Sequence, residues 1–143
     1  MAYSPLPIET VDLDDLLLDL DNYRIPTAQT SEAEAMEHLF VSEDVISLLK
    51  LILRNGYFDN EIPVAVLETS GPFKGSYTVL EGNRRISALK AMANPASIPS
   101  QEKEVRNALK RFAEEAKDLP GAVRVMVAPT RDAAEPHIAR LHT

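Results

Sequence analysis

The sequence of 143 residues lacks cysteine and tryptophan altogether. Without cysteine, the chain has no disulfide, no thiolate ligand for zinc and no thiol nucleophile, so these three kinds of chemistry are excluded. Its apolar runs are short, as at Leu16–Leu18, whereas a membrane-spanning helix needs about 20 such residues. The N-terminus has no basic segment followed by an apolar stretch, which is the pattern of a secretory signal. We therefore expect a cytoplasmic protein that does not cross a membrane.

Basic side chains are scarce in the first half of the chain. Residues 1–70 hold fourteen acidic and three basic side chains, a net charge of −11, whereas residues 71–143 hold eight acidic and twelve basic ones, a net charge of +4. The overall charge of −7 disfavours general binding to nucleic acid, because neutralising phosphates requires lysine and arginine. It does not exclude a phosphate ligand held by the positive half.

Hydrophobic periodicity predicts an alternation of strands and helices. Strands are expected over residues 8–13, 63–67, 76–80 and 122–127, with the middle two as a hairpin. Helices are expected over residues 31–40, 42–55, 86–93 and 101–118, and from Thr130 or Asp132 to the chain end. Residues 14–21 fit either a helical turn or a second extended segment, and residues 96–100 fit a linker. The pattern predicts an α+β fold with a small mixed sheet and surrounding helices, in a single domain over residues 1–143.

The helix predicted over residues 42–55 is apolar around most of its circumference, which predicts burial on more than one side. Ser42 is expected to cap its start, and Gly56 suits the left-handed position after its end. Tyr57 and Phe58 follow as an aromatic loop. We expect this loop either to stack on the ring of a ligand or to pack as a satellite of the core.

The richest chemistry lies at residues 81–85, Glu-Gly-Asn-Arg-Arg, between a predicted strand and a predicted helix. The first turn of a helix offers free backbone N–H groups and about half a positive charge. Gly82 lets the backbone approach a ligand closely, and Arg84 and Arg85 add donors shaped for phosphate oxygens. Two cations at this end oppose the helix dipole, which favours an anion beside them. We predict a phosphate site here; the alternative is that both arginines are solvated or ion-paired.

The neighbouring residues leave several roles open. Glu81 fits a metal ligand, a general base or an ion-pair partner of the arginines, and Asn83 either caps the helix or contacts the ligand. The sequence has no Walker loop, no dinucleotide fingerprint and no Gly-x-Ser-x-Gly elbow, and its three histidines lack the spacing of a helical metal motif. The acidic cluster between Asp12 and Asp21 lacks the pattern of a calcium loop and is predicted to be solvated.

Residues 77–90, Tyr-Thr-Val-Leu-Glu-Gly-Asn-Arg-Arg-Ile-Ser-Ala-Leu-Lys, resemble the strand, Gly-x-Arg-Arg turn and helix of the ParB N-terminal domain, in the ParB/sulfiredoxin superfamily. Residues 20–25 are similar to the early Asn-Pro-Arg loop of that family. The 42–55 helix with Asn55-Gly56, followed by residues 63–66, is similar to its helix–Gly–Pro–strand unit. The resemblance covers most of residues 9–93.

This resemblance implies a domain that binds a nucleotide, with CTP first among the nucleoside triphosphates, together with Mg²⁺. It also implies a slow NTPase switch in a DNA-associated protein, with Glu81 as the catalytic residue or metal ligand. By position it assigns Gly82, Arg84 and Arg85 to the triphosphate and places Gly56 near the base. Further candidates to bind the nucleotide are Asn83, Arg24 and Arg140. Sulfiredoxin activity is excluded, because it needs a cysteine in this box, where Asn83 stands.

The sequence also departs from the family. The later Glu-Asn-x-x-Arg motif is missing, and only Arg140 and His142 in residues 136–142 are candidates to replace it. The chain ends at Thr143 within a predicted helix, so we expect a domain of a longer protein, whose other parts bind DNA; a homodimer is a further expectation. Two alternatives remain: a metal-dependent ParB-like nuclease that uses Glu81, and a non-catalytic interaction module in which Arg84 and Arg85 pair with the acidic first half.

Overall fold

The computed structural model describes residues 5–20 and 31–141. Their strands form one five-stranded sheet of order β1-β5-β3-β4-β2. The strands are β1 Ile8–Asp12, β2 Leu16–Leu18, β3 Val64–Leu67, β4 Tyr77–Glu81 and β5 Ala122–Ala128. β3 pairs antiparallel with β4 and parallel with β5, while β2 lies parallel to β4 and β1 antiparallel to β5. The mixed sheet confirms the predicted α+β fold and the β3–β4 hairpin.

Helices cover both faces of the sheet. In the described ranges they are α1 Glu32–Ser42, α2 Val45–Asn55, α3 Asn83–Ala93, α4 Glu102–Arg111, α5 Ala113–Ala116 and α6 Arg131–Leu141. The main core lies between the sheet and α1 to α4, whereas α6 packs on a smaller core at the opposite face. Side chains alternate along a strand, so Val79 enters the main core and Leu80 the smaller one. None of the described helices has the length and apolar character needed to cross a bilayer.

Two predictions for α2 are wrong. Ser42 is the last residue of α1, and Asp44 caps α2 instead, from a left-handed backbone with φ of 51°. The Asp44 carboxylate accepts a hydrogen bond from the Ser47 N–H at 3.3 Å, and its hydrogen bonds with Ser47 lower the pKa of Asp44. The helix is also amphipathic, since Leu49 is fully buried while Leu51 is 49% exposed.

The segments around α4 also differ from the prediction. The helix expected over residues 101–118 is interrupted at Phe112, which leaves the helical backbone region and packs against the main core. Residues 96–100, expected to be a linker, belong to two short 3-10 turns, with Ile98 fully buried between them. Residues 14–20, the described part of the segment 14–21, contain both of the predicted alternatives, because a 3-10 turn leads directly into β2. In the first two segments, burial of Phe112 and of Ile98 outweighed the structure that local composition predicts.

Candidate functional site

The junction between β4 and α3 is the turn that the sequence singled out. β4 ends at Glu81, Gly82 turns the chain with φ of 96°, and α3 begins at Asn83. The Ile86 N–H donates to the Gly82 carbonyl at 3.1 Å, so the first N–H groups of α3 have no partner within the helix. This helix start lies in a polar cavity of about 250 Å³, lined by Leu48, Glu61, Glu81, Gly82, Asn83, Arg84 and Arg85.

Arg85 is oriented by the loop that precedes β3. Its Nη1 donates to the Glu61 carbonyl at 2.7 Å and lies 3.5 Å from Oε2 of the same residue. The Arg85 side chain is 20% exposed and that of Glu61 is 56% exposed. Because a guanidinium has five N–H donors, these contacts hold Arg85 in the cavity wall and leave it donors for a ligand.

Arg84 reaches towards the start of α2. Its Nη2 donates to the Asp44 carbonyl at 3.3 Å, which links the first turns of α2 and α3. Its Nε is buried, and the described part of the chain supplies it with no hydrogen-bond partner. An unsatisfied buried donor costs about 1–3 kcal/mol, so this guanidinium can gain from an added acceptor.

Asn83 supports the turn with its side chain. Gly82, not Asn83, is the N-terminal cap of α3. The Asn83 Oδ1 accepts a hydrogen bond from the Asp19 N–H at 3.1 Å, and its Nδ2 donates to the Val79 carbonyl at 2.8 Å. The residue is 3% exposed. The predicted capping role is therefore wrong, whereas contact with a ligand stays a prediction; because both polar groups of the side chain are bonded within the protein, Asn83 would make that contact through its backbone N–H.

Asp19 extends this support to the other face of the sheet. Its carboxylate accepts two hydrogen bonds from the Arg131 guanidinium, at 2.7 and 3.0 Å, at the first residue of α6. Asp19 is 5% exposed, so the prediction that the whole acidic cluster is solvated is wrong for this member. The pair joins α6 to the turn of α3 through Asn83.

A second, apolar cavity of about 220 Å³ adjoins the polar one. Its lining consists of Leu48, Leu51, Ile52, Asn55, Gly56, Tyr57, Phe58, Glu61 and Arg85. The two cavities share Leu48, Glu61 and Arg85. Phe58 is 55% exposed, and burial raises the pKa of the Tyr57 phenol, with Arg85 acting in the opposite direction. A flat apolar group bound here would lie next to whatever Arg85 holds.

The structure brings most of the predicted site residues together. Gly82, Asn83, Arg84, Arg85 and Glu81 line the polar cavity, and Gly56 lines the apolar one. Arg140 is exposed on α6 and lines neither cavity, because α6 packs on the opposite face of the sheet. Arg24 falls outside the described residues.

Metal binding by protein side chains alone has no support in residues 5–20 and 31–141. No group of three or more histidine, aspartate or glutamate side chains there could hold an ion. Glu81 and Glu61 do line the polar cavity. One or two carboxylates suit Mg²⁺ when phosphate oxygens of a ligand and water complete its shell, so these residues fit a metal that arrives with a phosphorylated ligand.

Sequence reasoning missed Glu61 and Leu48, which border both cavities. Glu61 stands two residues before Pro63, in the loop that follows the predicted aromatic pair. A carboxylate in a loop directly before a strand is a weak signal on its own, and its meaning depends on the fold that brings Arg85 beside it.

No family model matches the sequence, and no curated protein matches it. Among solved structures, the chain is similar to the C-terminally truncated chromosome-partitioning protein ParB from Caulobacter crescentus, complexed with CTP-γ-S. The two have a TM-score of 0.49 and 16% sequence identity, and the match covers 95% of this chain and 52% of that one. The chain therefore spans about half the length of that ParB, which is a member of the family whose box its sequence resembles. A similarity of this extent carries no conclusion about the ligand of this chain, which has to be inferred from its own site.

Gly82→Ala is expected to damage the site and the fold together. A Cβ at this position would lie 3.0 Å from Arg85 Nη2 and 3.0 Å from the Pro63 Cβ, on a backbone with φ of +96°. The left-handed conformation alone costs a residue with a Cβ about 1–2 kcal/mol. We expect the free energy of unfolding, measured by urea denaturation, to fall by about 2–3 kcal/mol, with Arg85 displaced.

Gly75→Ala is the matched control for Gly82→Ala. Gly75 has a φ of +92°, yet nothing lies within 4 Å of an added Cβ, so this variant carries the backbone strain without the crowding. It should lose about 1–2 kcal/mol of stability and keep the polar cavity intact. Equal stability losses in the two variants would show that crowding against Arg85 and Pro63 is unimportant.

Proposed function

We propose that this chain binds a nucleoside triphosphate across its two adjoining cavities. The phosphates lie at the start of α3, on its free N–H groups and on Arg84 and Arg85, and the base lies in the apolar cavity beside Gly56. The sequence resemblance to the ParB N-terminal domain puts CTP ahead of the other triphosphates.

One observation carries this proposal: Arg85 belongs to the walls of both cavities. A polar cavity at a helix start suits phosphate, and an apolar cavity suits a flat ring. A nucleotide has a phosphate part and a ring. It can place them on either side of the Arg85 guanidinium and so fill the polar and the apolar cavity together. Arg84 lines the same polar cavity and adds a second positive charge beside the phosphates.

Mg²⁺ enters the proposal with the triphosphate. Glu81 would hold it against the phosphate oxygens, since Glu81 lines the polar cavity and Mg²⁺ prefers carboxylate and phosphate oxygens. If the triphosphate alone holds the Mg²⁺, Glu81 would instead be the base that takes a proton from the attacking water in slow hydrolysis. Release of inorganic phosphate from the bound nucleotide, abolished by Glu81→Gln, would support this second part; cleavage of plasmid DNA with Mg²⁺ would instead support the nuclease alternative.

The test is calorimetry with CTP, ATP, GTP and UTP in the presence of Mg²⁺. Arg85→Ala should weaken the best ligand by about 10- to 100-fold, because a hydrogen bond to a charged group contributes about 1.5–3 kcal/mol. Arg106→Ala serves as the control, since Arg106 is an exposed arginine of α4 paired with Glu102 at 2.8 Å. Its loss should leave the affinity within about twofold. Equal weakening by both substitutions would contradict a phosphate site at the start of α3.

A second candidate function is the non-catalytic interaction module. Arg84 contacts Asp44 and Arg85 contacts Glu61, so both arginines do contact the acidic first half of the chain. If these contacts only hold the fold together, Arg84→Ala and Arg85→Ala should lower the melting temperature, and no nucleotide should raise it in the unmodified protein. Stabilisation by any one triphosphate with Mg²⁺ would exclude this alternative.

We further propose that this domain acts within a longer protein, in which other parts associate with DNA. The charge pattern supports that division, because the acidic first half makes the domain itself a weak partner for nucleic acid.

A further inference from the structure

Glu61 is the acidic neighbour of Arg85 where the two cavities meet. Its backbone carbonyl accepts the shorter contact from Arg85 Nη1, at 2.7 Å, while its carboxylate lies at 3.5 Å. The carboxylate is thus at the long end of an ion pair, and its side chain is 56% exposed. Exposed pairs of this kind contribute little, so the carboxylate can leave while the carbonyl keeps the guanidinium in place.

We infer that Glu61 is the internal competitor of the ligand: its carboxylate takes up Arg85 in the empty site, and an incoming phosphate displaces it. This inference rests on the proposed function. It adds that Glu61 determines how much negative charge a ligand must carry in order to bind Arg85. A carboxylate has one negative charge. A terminal phosphate carries up to two and offers three acceptor oxygens, so it can outcompete Glu61 for the same donors.

Displacing the Glu61 carboxylate from Arg85 should also change the boundary between the two cavities. Glu61 borders both the polar and the apolar cavity, together with Leu48 and Arg85. When its side chain turns outward, the boundary between the two cavities is left to Leu48 and Arg85. A ligand that brings phosphates therefore opens the way for its own ring, whereas a nucleoside without phosphates meets Glu61 still paired with Arg85. The site should select against nucleosides for this reason, and against monophosphates because of their lower charge.

The test measures binding of inorganic tripolyphosphate and of the best nucleotide by calorimetry, without and with Mg²⁺. Tripolyphosphate has no base, so its binding does not depend on whether the apolar cavity accepts one. Glu61→Gln removes the charge and keeps the size of the side chain, and it should tighten tripolyphosphate binding by about 3- to 10-fold, as expected for the loss of a competing half-exposed ion pair. In an Arg85→Ala background the same substitution should have less than about a twofold effect.

Asp59→Asn is the matched control. Asp59 is an exposed residue of the same loop and lines neither cavity, and its substitution changes the net charge of the protein by the same amount. Because long-range attraction for a polyanion changes equally in both variants, only a local competitor makes Glu61→Gln stand apart. An equal effect of the two substitutions overturns the inference.

The remaining outcomes separate this inference from the proposed function. If ligands bind in an Arg85-dependent way but Glu61→Gln has no effect, the phosphate site stands and the competitor is refuted. If Glu61→Gln weakens binding with Mg²⁺, Glu61 holds the metal or the ligand, which also refutes it. If tripolyphosphate binds and shows the Glu61 effect while no nucleotide binds better, the competitor stands and the nucleotide proposal fails. If nothing binds to any variant, both are wrong.

Discussion

Asn83→Leu is expected to lower the free energy of unfolding by about 2–5 kcal/mol, although leucine has the same number of side-chain heavy atoms as asparagine, branched in the same way. The substitution removes the acceptor of the Asp19 N–H and the donor to the Val79 carbonyl, at a position that is 3% exposed. Each buried polar group that loses its partner costs about 1–3 kcal/mol. Because leucine leaves no cavity, the loss should come from the unpaired polar groups and from the crowding of two methyl groups in a closely packed site. Urea denaturation followed by far-ultraviolet circular dichroism measures it.

The same variant should also weaken phosphate binding. Asn83 joins the turn of α3 to Asp19, and Asp19 is held by Arg131 of α6, so the helix start loses the side chain that positions it. Asn107→Leu, an exposed asparagine of α4, is the control and should change stability by less than about 0.5 kcal/mol. A stability loss without a change in tripolyphosphate affinity would mean that Asn83 supports the fold but does not position the site.

The local part of the site could be predicted from sequence because it is contiguous. A strand, a glycine and two arginines within residues 77–85 specify a turn and a helix start, and the structure places them so. The β3–β4 hairpin was predictable for the same reason, since its two strands flank turn residues.

The contacts that complete the site join residues far apart in the chain. Arg85 and Glu61 are 24 residues apart, Asn83 and Asp19 are 64 apart, and Arg131 and Asp19 are 112 apart. Nothing in the pattern around Asp19 distinguishes it from the exposed acids beside it. Only the packing of β2 next to β4 brings its backbone to Asn83, so its burial could not be predicted from local charge.

The error over α2 has a different cause. Counting apolar residues in 45–53 predicted burial on more than one side, but their spacing gathers the buried ones on a single face and leaves Leu51 to solvent and to the apolar cavity. An apolar helix face beside an open cavity looks in the sequence like a core face, because both are made of the same apolar residue types. Leu49 and Leu51 show the difference, since the first lies in the core and the second lines the cavity.

Leu49→Ala and Leu51→Ala should therefore have opposite effects. Leu49 is fully buried in the main core, and truncating such a leucine costs about 2–5 kcal/mol through lost contacts and the cavity left behind. We expect Leu49→Ala to lower the urea midpoint strongly while the folded fraction keeps its affinity for the triphosphate. Leu51 is 49% exposed, so the same substitution two residues later should cost less than about 1 kcal/mol of stability.

For nucleotide affinity, Leu51→Ala should have the larger effect of the two substitutions. Leu51 lines the apolar cavity, and a ring bound there would cover part of its exposed surface; losing that contact should weaken nucleotide binding by about 3- to 10-fold. Tripolyphosphate, which lacks a ring, should bind Leu51→Ala as it binds the unmodified protein. This comparison tests whether the base of the nucleotide lies in the apolar cavity. If Leu51→Ala loses affinity for both ligands equally, or for neither, the base does not lie beside α2.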